Sequence, residues 1–175
     1  MSYIILAILF ILSGFFMKYS DDFYDVNQNL TFAIVCGFFC GIVSALASVY
    51  SIEAAYIFIG ILVGNLIALK IDGIHHLLTL IVFIVILLAA GIPHLNLVIL
   101  LICILTALSD EVGHDLIATV TQNRFLNLFF EYRFVMKIAI FLLAVCGVFS
   151  FWTFVCFLLF ETSYVCAETF FESVS

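Results

Sequence analysis

Apolar residues fall in long blocks along this chain, and polar residues crowd into a few short breaks between them. Seven blocks are long enough to cross or nearly cross a membrane, at roughly 2–18, 30–50, 53–70, 75–91, 95–109, 134–149 and 150–167. A crossing takes about 20 residues of helix. The pattern predicts an all-α fold: a polytopic membrane helical bundle of about seven transmembrane helices, forming one integral membrane domain over 1–175. Between the fifth and sixth blocks, the run from Ile117 to Phe130 mixes apolar residues with Thr, Gln, Asn and Arg. It predicts an amphipathic helix lying in the interface. The first block has no Lys or Arg before it and no small-residue cleavage site after it, so it is read as a retained helix.

The breaks alternate in character. Those near Tyr50–Ser51, Gly91–His94 and Gly147–Ser150 are tight and nearly uncharged, whereas 18–29, 70–76 and 109–133 are rich in charge. Seven crossings put the tight turns on one side and the polar loops on the other. All five basic residues (Lys18, Lys70, Arg124, Arg133 and Lys137) then share one side, with every acid except Glu53. Basic residues mark the cytoplasmic side, so the expectation is N-terminus out and polar face cytoplasmic, in the plasma membrane.

Composition strengthens this reading. The chain is 67% hydrophobic and 10% charged, with a mean hydropathy of +1.38. A soluble domain is about 25% charged, so this one has too few polar residues to cover a water-facing surface. Membrane lipid is its expected surrounding. A net charge of −7 argues against a nucleic-acid partner, which needs a basic patch. Cys36, Cys40, Cys103, Cys146, Cys156 and Cys166 lie inside apolar runs with no C-x-x-C pair, and read as packing residues. Gly37, Gly41, Ser44 and Ser48, and the pair Gly60 and Gly64, recur at helical spacing. They predict close helix–helix approach.

Three polar clusters share the charged side. The first is Asp21, Asp22, Asp25 and Asn29, preceded by Lys18. If the helix continues through it, these side chains fall on one stripe. Stacked carboxylates repel unless a cation sits among them, and oxygen ligands suit Mg²⁺. The second cluster is Lys70, Asp72, Gly73, His75 and His76; the third is Asp110, Glu111, Gly113, His114 and Asp115. The glycines are expected to interrupt helix there. Imidazoles among carboxylates can bind a transition metal or move protons. Glu161 lies deep in the last block, where a carboxylate needs a partner, and Arg133 or Lys137 is expected to supply it. Asn65 is expected to face the interior.

The run D-D-F-Y-D-V-N-Q-N resembles the first aspartate-rich motif of the UbiA superfamily of intramembrane prenyltransferases. Asp21, Asp22 and Asp25 match its first three positions, and Asn29 stands where the last Asp is expected. The order of motifs agrees as well, with four predicted spans between Asp25 and Asp110. The resemblance implies Mg²⁺-dependent transfer of an isoprenyl group from its diphosphate to a small or lipid acceptor. Asp21, Asp22, Asp25, Asn29, Asp110, Glu111 and Asp115 are then the metal ligands. Lys18, Arg124, Arg133 and Lys137 are the diphosphate partners. Lys70, Asp72, His75, His76 and His114 are the candidate catalytic groups. The carboxylates of Asp22, Asp25, Asp110 and Asp115 should converge on one cavity. The rival class is a small transporter or cation-coupled carrier, which needs polar residues through the whole thickness of the membrane. The sequence leaves oligomeric state open, homo-oligomer included.

Overall fold

A computed structural model of the chain describes residues 3–71, 73–120 and 123–174. It is all-α. The elements are α1 (Tyr3–Asp25), α2 (Leu30–Tyr50), α3 (Ile52–Ile67), α4 (Ile74–Ala90), α5 (Leu97–Val120), α6 (Arg124–Glu131), α7 (Phe134–Val145) and α8 (Phe151–Val174). Four helices are long and apolar enough to cross a membrane: α1, α2, α5 and α8. α3, α4 and α7 are apolar but shorter, at 16, 17 and 12 residues. At about 1.5 Å per residue, α7 reaches only about 18 Å of a hydrocarbon layer about 30 Å thick.

Neighbour relations run from α1 to α2, α3, α5, α7, α8 and back to α1. This closes a ring of six helices. α4 packs against α2, and α6 bridges α5 and α7. Phe10, Ile57, Phe58, Ile140 and Phe157 fill the middle of the bundle and are fully buried. Only 28%, 22% and 28% of the most apolar windows of α1, α5 and α8 are buried within the protein, so most of their apolar surface faces outward. An outward apolar surface of this extent needs lipid as its solvent.

The small residues do what their spacing predicts. A Cβ at Gly60 would sit 2.7 Å from Cys103 Cβ, and one at Gly64 2.8 Å from Ala107 Cβ. α3 and α5 therefore touch along the G-x-x-x-G stripe. Gly41 in the same way lets α4 approach α2, where a Cβ would meet the Thr79 carbonyl at 2.8 Å. Four of the six cysteines are buried, while Cys146 and Cys166 are exposed, and all six are free thiols.

Several boundaries differ from expectation: the helix expected over Ile117–Phe130 is divided between the end of α5 and α6, α3 and α7 stop short of their apolar blocks, and three helices run long. α1 continues through Asp25, α5 through Val120 and α8 through Val174, beyond the apolar blocks that predicted them. Gly113 does not interrupt α5, and its missing Cβ makes room for the Phe130 ring of α6. Helix hydrogen bonding continues where the apolar block stops, since the charged side chains there find partners on neighbouring helices.

Candidate functional site

The helix extensions gather at one end of the ring. There the last turns of α1, the start of α4, the second half of α5, the start of α7 and the second half of α8 enclose a cavity. Its polar lining is Ser20, Asp21, Asn65, Lys70, His76, Thr79, Asp110, Glu111, Arg133, Glu161 and Tyr164. Its apolar lining is Met17, Cys40, Ile61, Leu62, Ile71, Ala107, Met136 and Phe160. Each predicted cluster contributes: Asp21 from the first, Lys70 and His76 from the second, Asp110 and Glu111 from the third. Asn65 faces this interior as expected.

The other expected residues have different surroundings. Asp22 does not line the cavity; it pairs with Lys18 at 3.2 Å. Lys18 also pairs with Glu168 at 2.7 Å, tying α1 to α8. Asp25 is exposed at the end of α1. Asn29 caps α2, its side chain accepting the Phe32 N–H at 3.3 Å. That is a standard use of Asn at a helix start. Asp115 pairs with Lys70 at 2.7 Å. His114 is exposed and lines an adjoining outer cavity with Glu131, Tyr132 and Glu168. Arg124 is exposed at the start of α6. Asp72 lies outside the described residues. Of Asp22, Asp25, Asp110 and Asp115, only Asp110 therefore reaches the cavity.

Asp110 has a defined task. Its Oδ1 accepts the Val135 N–H at 3.0 Å and its Oδ2 the Met136 N–H at 2.8 Å. A carboxylate on α5 thus caps the N-terminus of α7, whose first N–H groups have no intrahelical partner. Arg133 sets this up from the N-cap position, with a left-handed backbone at φ 49° that non-glycine residues seldom adopt. Its guanidinium pairs with Glu111 at 3.0 Å and lies over the Tyr164 ring at 5.4 Å. Burial opposes the Arg133 charge, but Tyr164, Glu111 and Glu161 outweigh it and hold the guanidinium above its ordinary pKa. Lys137 pairs with Glu161 at 3.0 Å, as expected for a carboxylate at that depth, and also donates to the Tyr132 carbonyl.

Sequence reasoning passed over Tyr164 and Glu168. Tyr164 lies between Arg133 and Lys18 and donates a long hydrogen bond, 3.4 Å, to Asp21 Oδ2. A signal was available. Glu161, Tyr164 and Glu168 are spaced i, i+3, i+7 and fall on one face of α8, within a run otherwise read by its hydropathy.

The charges largely match within the site. Lys18, Lys70, Arg133 and Lys137 each face a carboxylate. This bears on magnesium, which takes several oxygen ligands in near-octahedral geometry. Both oxygens of Asp110 accept backbone N–H groups, and Asp22, Glu111 and Asp115 each face a cation. Among the described residues, Asp21 is the cavity carboxylate outside these ties, and its near neighbours are His75 and His76. Mg²⁺ bridged between two aspartate motifs does not fit this donor arrangement. Compared with known proteins, the chain matches no family model, no curated protein and no solved structure.

Proposed function

We propose that the chain is an integral membrane protein that takes a phosphorylated isoprenoid into this one-ended cavity and transfers its isoprenyl group, as the UbiA superfamily it resembles does. One observation carries the reading. Asp21 of the first motif and Asp110 and Glu111 of the second line a single cavity that apolar side chains also line. Such a cavity suits an amphiphile, with its charged head among the polar groups and its tail along Ile61, Leu62, Met136 and Phe160. In this reading α3, α4 and α7 complete the seven crossings, and the cation-rich end faces the cytoplasm at the plasma membrane.

The chain's own groups can do three things here. Lys70 and Arg133 can exchange a carboxylate for a phosphate oxygen, a charge-assisted contact at which Arg is especially effective. Breaking the allylic C–O bond sends the electron pair out with the diphosphate, and the acceptor captures the cation left behind. His76, on the cavity wall, is placed to take the proton that the acceptor then loses. A carrier is the rival. The packed Phe10, Ile57, Phe58, Ile140 and Phe157 between the two ends favour a one-ended site over a polar path.

The test is direct. Full-length protein in nanodiscs is incubated with labelled isoprenyl diphosphates of several lengths, and diphosphate release and acceptor labelling are measured. The expected result is turnover by the native chain and a loss of at least about 100-fold in Asp21→Asn and Arg133→Gln. Failure of every donor to react or bind, with protein that remains helical, contradicts the reading.

A further inference from the structure

Two helices deliver a nitrogen- and oxygen-donor group to the inner wall of the cavity. Asp21 comes from the last turns of α1, and His75 and His76 open α4. One donor atom from each lies within 4.8 Å of the others. His75 Nε2 is 3.8 Å and His76 Nε2 is 3.7 Å from the same carboxylate oxygen, Asp21 Oδ1. These separations are too long for hydrogen bonds. They lie close to the roughly 3.4 Å expected between ligands of a tetrahedral ion with bonds of about 2.0–2.1 Å. Asp21 Oδ1 is buried and makes no hydrogen bond among the described residues.

The imidazoles are positioned by packing. Gly37 lets the first turn of α4 close onto α2: a Cβ there would lie 2.8 Å from the His75 carbonyl oxygen and 2.8 Å from Thr79 Oγ1. Thr79 secures the contact by donating to the Gly37 carbonyl at 2.9 Å. The His75 ring lies against Gly73, where a Cβ would fall 2.3 Å from its Cε1. The Tyr24 and His76 rings are centred 4.4 and 4.0 Å from it. His75 is 1% exposed. A ring confined in this way loses little freedom on taking a ligand.

We propose that Asp21, His75 and His76 bind one divalent transition-metal ion, with its remaining coordination positions open to the cavity. Two imidazoles and a carboxylate form a donor set for Zn²⁺, Fe²⁺ or Mn²⁺ and not for Mg²⁺. Asp21 and His76 line the cavity and His75 closes the site from behind. Three protein ligands with a free position facing substrate is the arrangement of catalytic metal sites, whereas structural ones are closed. The sequence contains the elements of this group, but the two histidines come from the loop cluster and the aspartate from the first motif. Only the fold joins them. The inference goes beyond the isoprenyl reading and does not depend on it; a metal on His76 would occupy the nitrogen that the reading uses as a base, and the acceptor's proton would then pass to a cavity carboxylate, Glu111 or Glu161.

Zinc alone serves as the probe. The full chain in nanodiscs is stripped with chelator and titrated with Zn²⁺ against a chromophoric competitor, and with Co²⁺ for its absorption bands. The expected result is one equivalent per chain, with affinity weakened more than about ten-fold in His76→Ala and in Asp21→Asn. His114→Ala and His94→Ala should bind as the native chain does. His76 is only partly buried, so its variant reports on ligation even if the buried His75→Gln misfolds. Native protein that binds no zinc, or His76→Ala that binds it unchanged, overturns the proposal. Zinc binding without isoprenyl transfer removes the transferase reading alone; Mg²⁺-supported transfer without zinc binding removes this one alone.

Discussion

The two ends of the bundle treat charge in opposite ways. At one end, Glu53 at the start of α3 is held without a cation among the described residues. Its Oε2 accepts Ser150 N–H and Ser150 Oγ–H, each at 3.0 Å, and also the Thr153 hydroxyl. One carboxylate thereby fixes the start of α8 to α3. At the other end, Lys18, Lys70, Arg133 and Lys137 are matched with carboxylates around an open cavity. A half-buried carboxylate can be satisfied by a few hydroxyl and backbone donors, as Glu53 shows. A dense set of ion pairs around a space is more than such anchoring needs, which is why a function is proposed for that end.

Substitutions can break this contrast. The largest effect is expected for Lys137→Ala, which leaves Glu161 partly buried without its cation. Losing one partner of such a pair costs about 3 kcal/mol, seen as a lower unfolding temperature in detergent, and the swap K137E/E161K should recover part of it. Asp110→Ala comes next, at about 2 kcal/mol, because two N–H groups of α7 lose their acceptor. Asp110→Asn should lose roughly half as much, since its amide keeps one acceptor oxygen. Glu53→Ala should cost about 1 kcal/mol and leave zinc affinity unchanged; altered zinc binding there would erase the distinction between the ends. Arg124→Ala, on exposed α6, should stay within about 0.5 kcal/mol of the native chain.

The hydropathy pattern made the helical bundle and its charged end legible. It also exposed the cavity-facing Asp21, Lys70, His76, Asp110, Glu111 and Arg133, and the partner of Glu161. Helix ends were less legible, because the apolar blocks stop before the hydrogen bonding does in α1, α5 and α8. Individual roles were least legible. Asp110 reads as a metal ligand until the start of α7 is seen to lie beside it, a contact 25 residues away in sequence. Lys18 reads as a phosphate partner until Glu168, 150 residues away, is placed next to it. Asn29 was recoverable locally, since Asn before an apolar helix is a common cap.

The central claim is that three separated polar segments form one site at one end of the bundle. Paired cysteines in a cysteine-free background test it most directly. Lys70→Cys with Asp115→Cys joins the second segment to the third, and Asp21→Cys with His76→Cys joins the first to the second. The account predicts efficient oxidative crosslinking of both pairs in membranes, and none between Asp21→Cys and Glu53→Cys. Absence of both predicted crosslinks, with the Asp21→Cys and Glu53→Cys pair forming instead, would contradict it.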